Sequence, residues 1–424
     1  MLLNRRGLTA SEHLNPVSTT FVFAFQKVTE TNPATADLLR LCALLHPDAI
    51  PEEIFTDGAS ELGPILRPVA SDPFAWNAAL SELLKYSLVR RDPNTRTLAM
   101  HRLVQAVIRD GMSETEKPTL ADRTVRAMNR LIPDLEYLKG DKGRRLYAQL
   151  QACADLIEEC NLESVASARL ALLCGEYWTY CGWQGSYWRV YHRAMTIWEK
   201  MAPDHLDLAR CLDELARFPW DVCSDPATTE YFRGRDAKRF YRRALAIREK
   251  ALGPDHLEVA KSLDNLAKCC GDDEEADRLY RRALAIREKA LGPEHPEVVE
   301  SLNNLASWYQ CQGHYEEAER LFQKVLAIQE KAAGPERHHE VTNSLFDLAH
   351  LYHEQGRDKE AEAVHSRILA LWERAAGPDD STLAKFLDTL ASLYQFMGFD
   401  EKAELLYQRV LALKRKAFTP DGPL

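Results

Sequence analysis

The sequence predicts an all-α chain: a small helical domain carrying one β-hairpin, followed by a long array of helical hairpins. Three observations lead there. Arg242–His256 (RRALAIREKALGPDH) and Arg281–His295 (RRALAIREKALGPEH) differ at a single position. Leu-Ala pairs begin at Leu215, Leu266, Leu305, Leu348 and Leu390, with spacings of 51, 39, 43 and 42. Self-similarity at such a period marks a repeat architecture, in which length counts repeats rather than domains. The third observation is composition: 46% hydrophobic and 28% charged residues, with only 19 Gly and 20 Pro in 424 residues, describe a packed chain and exclude a disordered or collagen-like one.

In chain order, residues 1–17 are expected to be a linker remnant and 18–132 a domain without the 42-residue period. Its apolar periodicity predicts helices near 18–29, 33–46, 61–68, 73–86 and 101–110. Two β-like runs, SLVRR and RTLAM, flank an Asp-Pro-Asn turn between the last two helices. Helices, a hairpin wing and a further helix make a winged-helix-like domain. Residues 133–163 are read as connecting helices, 164–418 as about six repeats, and 419–424 as a tail.

Each repeat reads as two helices. In the clearest one, Glu297–Gln310 carries an apolar stripe through Leu302, Leu305, Ala306 and Tyr309, and Tyr315–Ala333 one through Ala318, Leu321, Phe322 and Val325. Gly313 breaks the first helix from the second, and Gly334-Pro335 ends the second. One such hairpin cannot bury its stripe alone; stacked neighbours can.

The pattern Leu305-Ala306, Tyr309, Gly313, Tyr315, Ala318, Phe322, Val325 resembles the tetratricopeptide repeat, and the period with "AIREKALGPEHPEV" resembles its kinesin-light-chain variety. The resemblance implies a right-handed superhelix that binds proteins or peptides. Upstream, "NPATADLLRLCALLHPDAIPEEIF", "ALSELLKYSLVRRD" and "MHRLVQAVIRDGM" resemble the winged-helix segment of NB-ARC-type STAND ATPases. Met100-His101-Arg102 is similar to that family's Met-His-Asp motif, with Arg102 in place of the Asp. The resemblance makes His101 a nucleotide-sensor-like residue. No Gly-Lys dipeptide occurs, so no phosphate-cradling G-x-x-x-x-G-K-[ST] loop does either, and the nucleotide-binding domain is expected to be absent from this chain.

The function classes narrow further. A net charge of −10 excludes retention on nucleic acid by bulk charge. Nothing approaches the roughly 18 consecutive apolar residues of a membrane span. Ten scattered cysteines without a C-x-x-C pair point to a reduced, cytoplasmic protein rather than a zinc or disulfide framework. His338, His339, His350 and His353 lack a nearby Cys and any HExxH, so no metal and no cofactor are expected. No catalytic motif appears, and the chain is expected not to be an enzyme.

The resemblance to the tetratricopeptide repeat implies that ligands lie on the first helix of each hairpin, on the face turned away from the second, and the remaining candidates are taken there. Counting from each Leu-Ala pair, the trios are Arg210, Asp213, Arg217; Lys261, Asp264, Lys268; Glu300, Asn303, Ser307; Asn343, Phe346, His350; and Lys385, Asp388, Ser392. The i, i+3, i+7 spacing keeps each trio on one stripe. The first two alternate basic, acidic, basic, which places four cations in one concave patch. Asn303 and Asn304 are positioned to bond an extended peptide backbone. An acidic or amphipathic peptide is the expected ligand, with Phe346 and Phe396 as apolar anchors. The alternatives are nucleic-acid binding through Arg90, Arg91 and Arg96 of the wing, or a role as part of an ATPase whose nucleotide-binding domain is missing.

Overall fold

The structure, a computed structural model, describes residues 16–182, 187–217, 237–332, 338–376, 381–396 and 399–418. The expected ends of several elements, the Gly334-Pro335 stop among them, lie outside these residues. The chain divides into two compact units, Met1–Pro254 and Asp255–Leu424.

The first unit opens with α1 (Pro16–Thr31) and α2 (Pro33–Leu44). Asn32 starts α2: its side chain accepts the Ala34 and Thr35 N–H groups at 3.0 and 3.3 Å, and Pro33 fills the first turn. The apolar run LLRLCALL at 38–45 lies in the core, with Leu38, Leu39, Leu41, Leu44 and Leu45 buried. Burial pushes the Cys42 thiol up to about 12, as expected of a structural rather than reactive cysteine.

After β1 (Ile50–Pro51) come the short α3 (Glu53–Thr56), a 3-10 turn at Ala59–Glu61, α4 (Gly63–Ser71) and α5 (Pro73–Lys85). The predicted hairpin forms as β2 (Val89–Asp92) and β3 (Thr97–Met100), and α6 (Arg102–Asp110) follows it. β3 is central in an antiparallel sheet of order β1-β3-β2, with Val89 opposite Met100 and Ile50 opposite Leu98. Those four side chains are buried, so the hairpin is seated on the helices. A buried acid locks this arrangement. Glu52 accepts from the Trp76 indole at 3.0 Å and from Arg91 at 2.6 and 2.8 Å. Burial raises the Glu52 pKa, but the bonds from Arg91 and Trp76 outweigh it and hold the carboxylate below its ordinary value.

α7 (Glu116–Leu131), α8 (Leu135–Leu138) and α9 (Asp141–Glu159) follow. Gln149 on α9 is fully buried and ties down the loop before β1, receiving the His46 N–H and donating to the His46 and Asp48 carbonyls. Hairpins then begin: α10 (Val165–Tyr180) packs on α11 (Tyr187–Met201), and α12 (Leu206–Arg217) on α13 (Ala237–Leu252). Gly175 permits the first close approach, since a Cβ there would lie 2.8 Å from the Tyr191 ring.

The second unit continues the pattern with α14 (Leu257–Lys268) and α15 (Asp273–Leu291), α16 (Pro296–Cys311) and α17 (Tyr315–Ala332), α18 (His338–Glu354) and α19 (Asp358–Ala376), and α20 (Ser381–Phe396) and α21 (Asp400–Phe418). Each pair packs as an antiparallel hairpin. The expected stripe is the interface: Leu302, Leu305, Ala306, Tyr309, Ala318, Phe322 and Val325 are buried, and Leu321 packs at their edge. Gly313, at φ +76°, makes the turn between α16 and α17. The repeated Gly-Pro-Asp/Glu-His segment also has a structural meaning. Its histidine is the N-cap of the next helix: His256 Nδ1 accepts the Glu258 N–H at 3.1 Å and His295 Nδ1 the Glu297 N–H at 3.2 Å.

Candidate peptide-binding face

Each trio splits in the same way. The outer members Arg210 and Arg217, Lys261 and Lys268, Asn343 and His350, and Lys385 and Ser392 are exposed, as are Glu300 and Ser307. The middle members are less exposed: Asn303, Phe346 and Asp388 are half-buried, and the two acids before them are buried. Asp213 and Asp264 are only 7% and 5% exposed, which corrects the expectation that they sit on the ligand face. Asp213 accepts from Arg248 on α13 at 2.6 Å, and Asp264 from Arg287 on α15 at 2.6 Å. Both arginines are themselves buried. Arg287 also bonds the Ser301 hydroxyl of α16, so one guanidinium ties its own hairpin to the next. Burial raises the Asp264 pKa, and the Arg287 charge only partly offsets it.

The patch of free cations is corrected too. Arg210 is bonded to Glu176 and, at 2.9 Å, to Asp207; Arg217 meets Glu214 at 2.9 Å; Lys261 meets Glu258 at 2.8 Å. These acids come from the same helices or from the preceding hairpin and partly neutralise three of the four cations, while Lys268 has no ion pair among the described residues.

The third and fourth trios differ. Phe346 is half-buried against the core, 6.4 Å from the His365 ring, so it is a packing residue more than a free anchor. The Phe396 side chain lies outside the described residues. His350 Nδ1 lies 2.8 Å from the Gln310 amide, and His353 Nδ1 lies 3.0 Å from Asp358. The side chains of His338 and His339 also lie outside the described residues. Asn303 and Asn304 do stand together. With Gln329 of α17 they line a cavity of about 260 Å³ whose rim includes Glu294, Glu300 and Glu340. The Asn303 Oδ1 and Gln329 Oε1 atoms are buried without a hydrogen-bond partner among the described residues.

Sequence reasoning missed the residues on the second helices, Arg248, Arg287 and Gln329. The signal was present in the repeat. Aligned on the Leu-Ala pair and on "LAI", the middle first-helix position reads Asp213, Asp264, Asn303, Phe346, Asp388. The position after that motif on the second helix reads Arg248, Arg287, Gln329, Trp372, Lys414. The two positions change together: acid with base, amide with amide, ring with ring.

In the first unit, Arg91 of the β-hairpin is committed to Glu52 and to Asn77 at 2.8 Å, while Arg90 and Arg96 are exposed. His101 is exposed and caps α6, its Nδ1 accepting the Leu103 N–H at 3.1 Å. Among the described residues no helix is long and apolar enough to cross a membrane.

Comparison with known proteins gives two family matches. Residues 227–289, 269–331 and 340–416 match the tetratricopeptide repeat, and residues 24–117 match a family described as Domain of unknown function (DUF7779). The expected all-α helical-repeat fold is thus the observed one. No curated protein matches. Solved structures similar to the chain include a putative kinesin light chain with nearly identical TPR-like repeats from Podosopora anserina, 28% identical, covering 51% of this chain and 99% of that one, with a TM-score of 0.39. A STAND protein with a tetratricopeptide repeat sensor from Pyrococcus horikoshii is 15% identical over 96% of this chain and 63% of its own, with a TM-score of 0.38. Aspartyl phosphate phosphatase F from Bacillus subtilis is 14% identical over 96% of each chain, with a TM-score of 0.40.

Proposed function

We propose that the chain is a non-catalytic scaffold that binds a protein or peptide along the exposed face of its first helices, as the sensor half of a STAND-type signalling protein. In this reading residues 18–132 form a winged-helix-like segment and 164–418 the binding array. The observation that carries it is the division within each trio. Hairpin after hairpin, the outer two positions are left exposed while the middle one is less exposed, buried at Asp213 and Asp264 and half-buried at Asn303, Phe346 and Asp388. A surface excluded from the core at the same offsets in successive repeats offers a partner a regular row of side chains.

His101 belongs to the same proposal. Because its Nδ1 accepts a backbone N–H, the neutral ring carries its proton on Nε2. That leaves a donor on an exposed edge, suited to a nucleotide phosphate presented by another domain.

The test is to pan the full chain against a random dodecapeptide library. A shared motif is expected for the wild type and loss of that motif for Ser307→Trp with Asn343→Trp, two exposed positions where a ring blocks the face without entering the core. No enriched sequence with the wild type, or a motif indifferent to the double variant, overturns the reading.

A further inference from the structure

We propose that the cavity beside Asn303 and Gln329 takes an arginine side chain of the bound partner; this rests on reading the chain as a peptide scaffold and names one residue of its ligand. The argument begins with the repeat. At the equivalent place one hairpin earlier, Arg287 reaches from α15 to Asp264 at 2.6 Å and on to Ser301. In the next hairpin the acid is Asn303 and the base is Gln329. Neither amide oxygen finds a donor among the described residues, and the space is a cavity of about 260 Å³. Ser344, which stands where Ser301 does in the repeat, is buried. What is missing, relative to the preceding hairpin, is the guanidinium.

The lining has the chemistry to receive one from outside. Its charged members are Glu294, Glu300 and Glu340, and no Lys or Arg lines the cavity among the described residues. Glu294 is engaged with Lys331, whereas Glu300 has no salt bridge among the described residues. Pro296, Val299 and Ile328 provide an apolar wall for a methylene stem. A guanidinium has five N–H donors in a planar fork and no acceptor, so it can serve two separated amide oxygens and a carboxylate at once. An ammonium is a more strongly hydrated point charge and reaches fewer of them. Leaving the two oxygens unpaired is costly, which makes their pairing a source of binding energy.

The experiment titrates N-acetyl-arginine methylamide into the full chain by calorimetry at low salt, with the neutral isostere N-acetyl-citrulline methylamide alongside. Saturable binding is expected for the arginine probe, with the citrulline probe weaker by about tenfold or more because the charge-assisted bonds are gone. Asn303→Asp with Gln329→Arg rebuilds the internal ion pair, should fill the cavity, and should abolish binding. Glu300→Gln with Glu340→Gln changes only exposed carboxylates and should weaken binding without disturbing the fold. No saturable binding to the wild type, equal binding of both probes, or binding unaltered in both double variants overturns the inference. Peptide panning separates this result from failure of the scaffold reading. A selected motif lacking arginine leaves the scaffold standing and sinks the arginine site. No motif at all sinks the scaffold reading itself.

Discussion

Asp264 and Arg287 face each other at 2.6 Å across the two helices of one hairpin, both almost wholly removed from water. Burying such a pair costs desolvation on each side, and the raised Asp264 pKa shows that the attraction to Arg287 does not fully offset that cost. The pair therefore adds little to stability over an apolar pair, while loss of one partner strands a charge. Arg287→Met is expected to destabilise by roughly 3–5 kcal/mol, and Arg287→Met with Asp264→Leu to recover most of that. Urea unfolding of the two variants checks it. A double variant no more stable than the single one would show that the pair itself supplies the stability.

Ala306 sits with no exposed surface where α16 meets α17, among Ala318, Phe322 and Leu305. Ala306→Arg forces a long cation into that contact. A loss of several kcal/mol is expected, combining overpacking with an unpaired buried charge. Damage in a repeat array is local, so hydrogen exchange should accelerate first in α16 and α17. Exchange unchanged in those two helices would contradict the packing described.

Much of this fold was legible because each repeat states its own punctuation. The predicted Glu297–Gln310 and Tyr315–Ala333 became Pro296–Cys311 and Tyr315–Ala332, set by a His cap at one end and Gly313 at the turn. The hairpin of the N-terminal domain was equally local. The Glu52, Trp76 and Arg91 triad was not, because its members are 24 and 39 residues apart and no pattern in the chain links them. The candidate face was half legible. At about 100° per residue, i and i+7 are nearly eclipsed, whereas i+3 lies about 60° away from i, at the edge that meets the second helix. A stripe drawn through all three therefore mixed surface with interface, and Asp213 and Asp264 were placed on the wrong side of it. Reading the facing position on the second helix would have separated them.

His295 opens α16 by accepting the Glu297 N–H. Replacing it with Ala removes the acceptor for an otherwise unpaired helix-end donor. A loss of about 1 kcal/mol is expected, with Asn restoring most of it because its side chain caps in the same way. Thermal unfolding of His295→Ala and His295→Asn tests this. Equal losses would mean that the ring's packing, and not its nitrogen, is what matters there.

His365 gives the second unit an acid-sensitive point. The residue is 1% exposed, and neither ring nitrogen has a hydrogen-bond partner among the described residues. Burial pulls its pKa down to about 4, and the nearby His353 and Lys402 push the same way, with Glu362 opposing. An unfolded histidine takes up its proton near 6.5. Between those values the unfolded chain binds a proton that the folded chain refuses, so acid favours unfolding. The contribution is fully present above about pH 6.5 and is lost as pH falls toward about 4, at a slope of up to about 1.4 kcal/mol per pH unit. Carboxylates titrate in the lower part of this window, so the comparison must be between variants. His365→Phe keeps a ring beside Phe346 and Tyr394 and removes the titration. Urea midpoints measured at several pH values between 7 and 5 should fall for the wild type and fall less steeply for His365→Phe. Parallel curves would show that His365 takes up its proton without unfolding the helices around it.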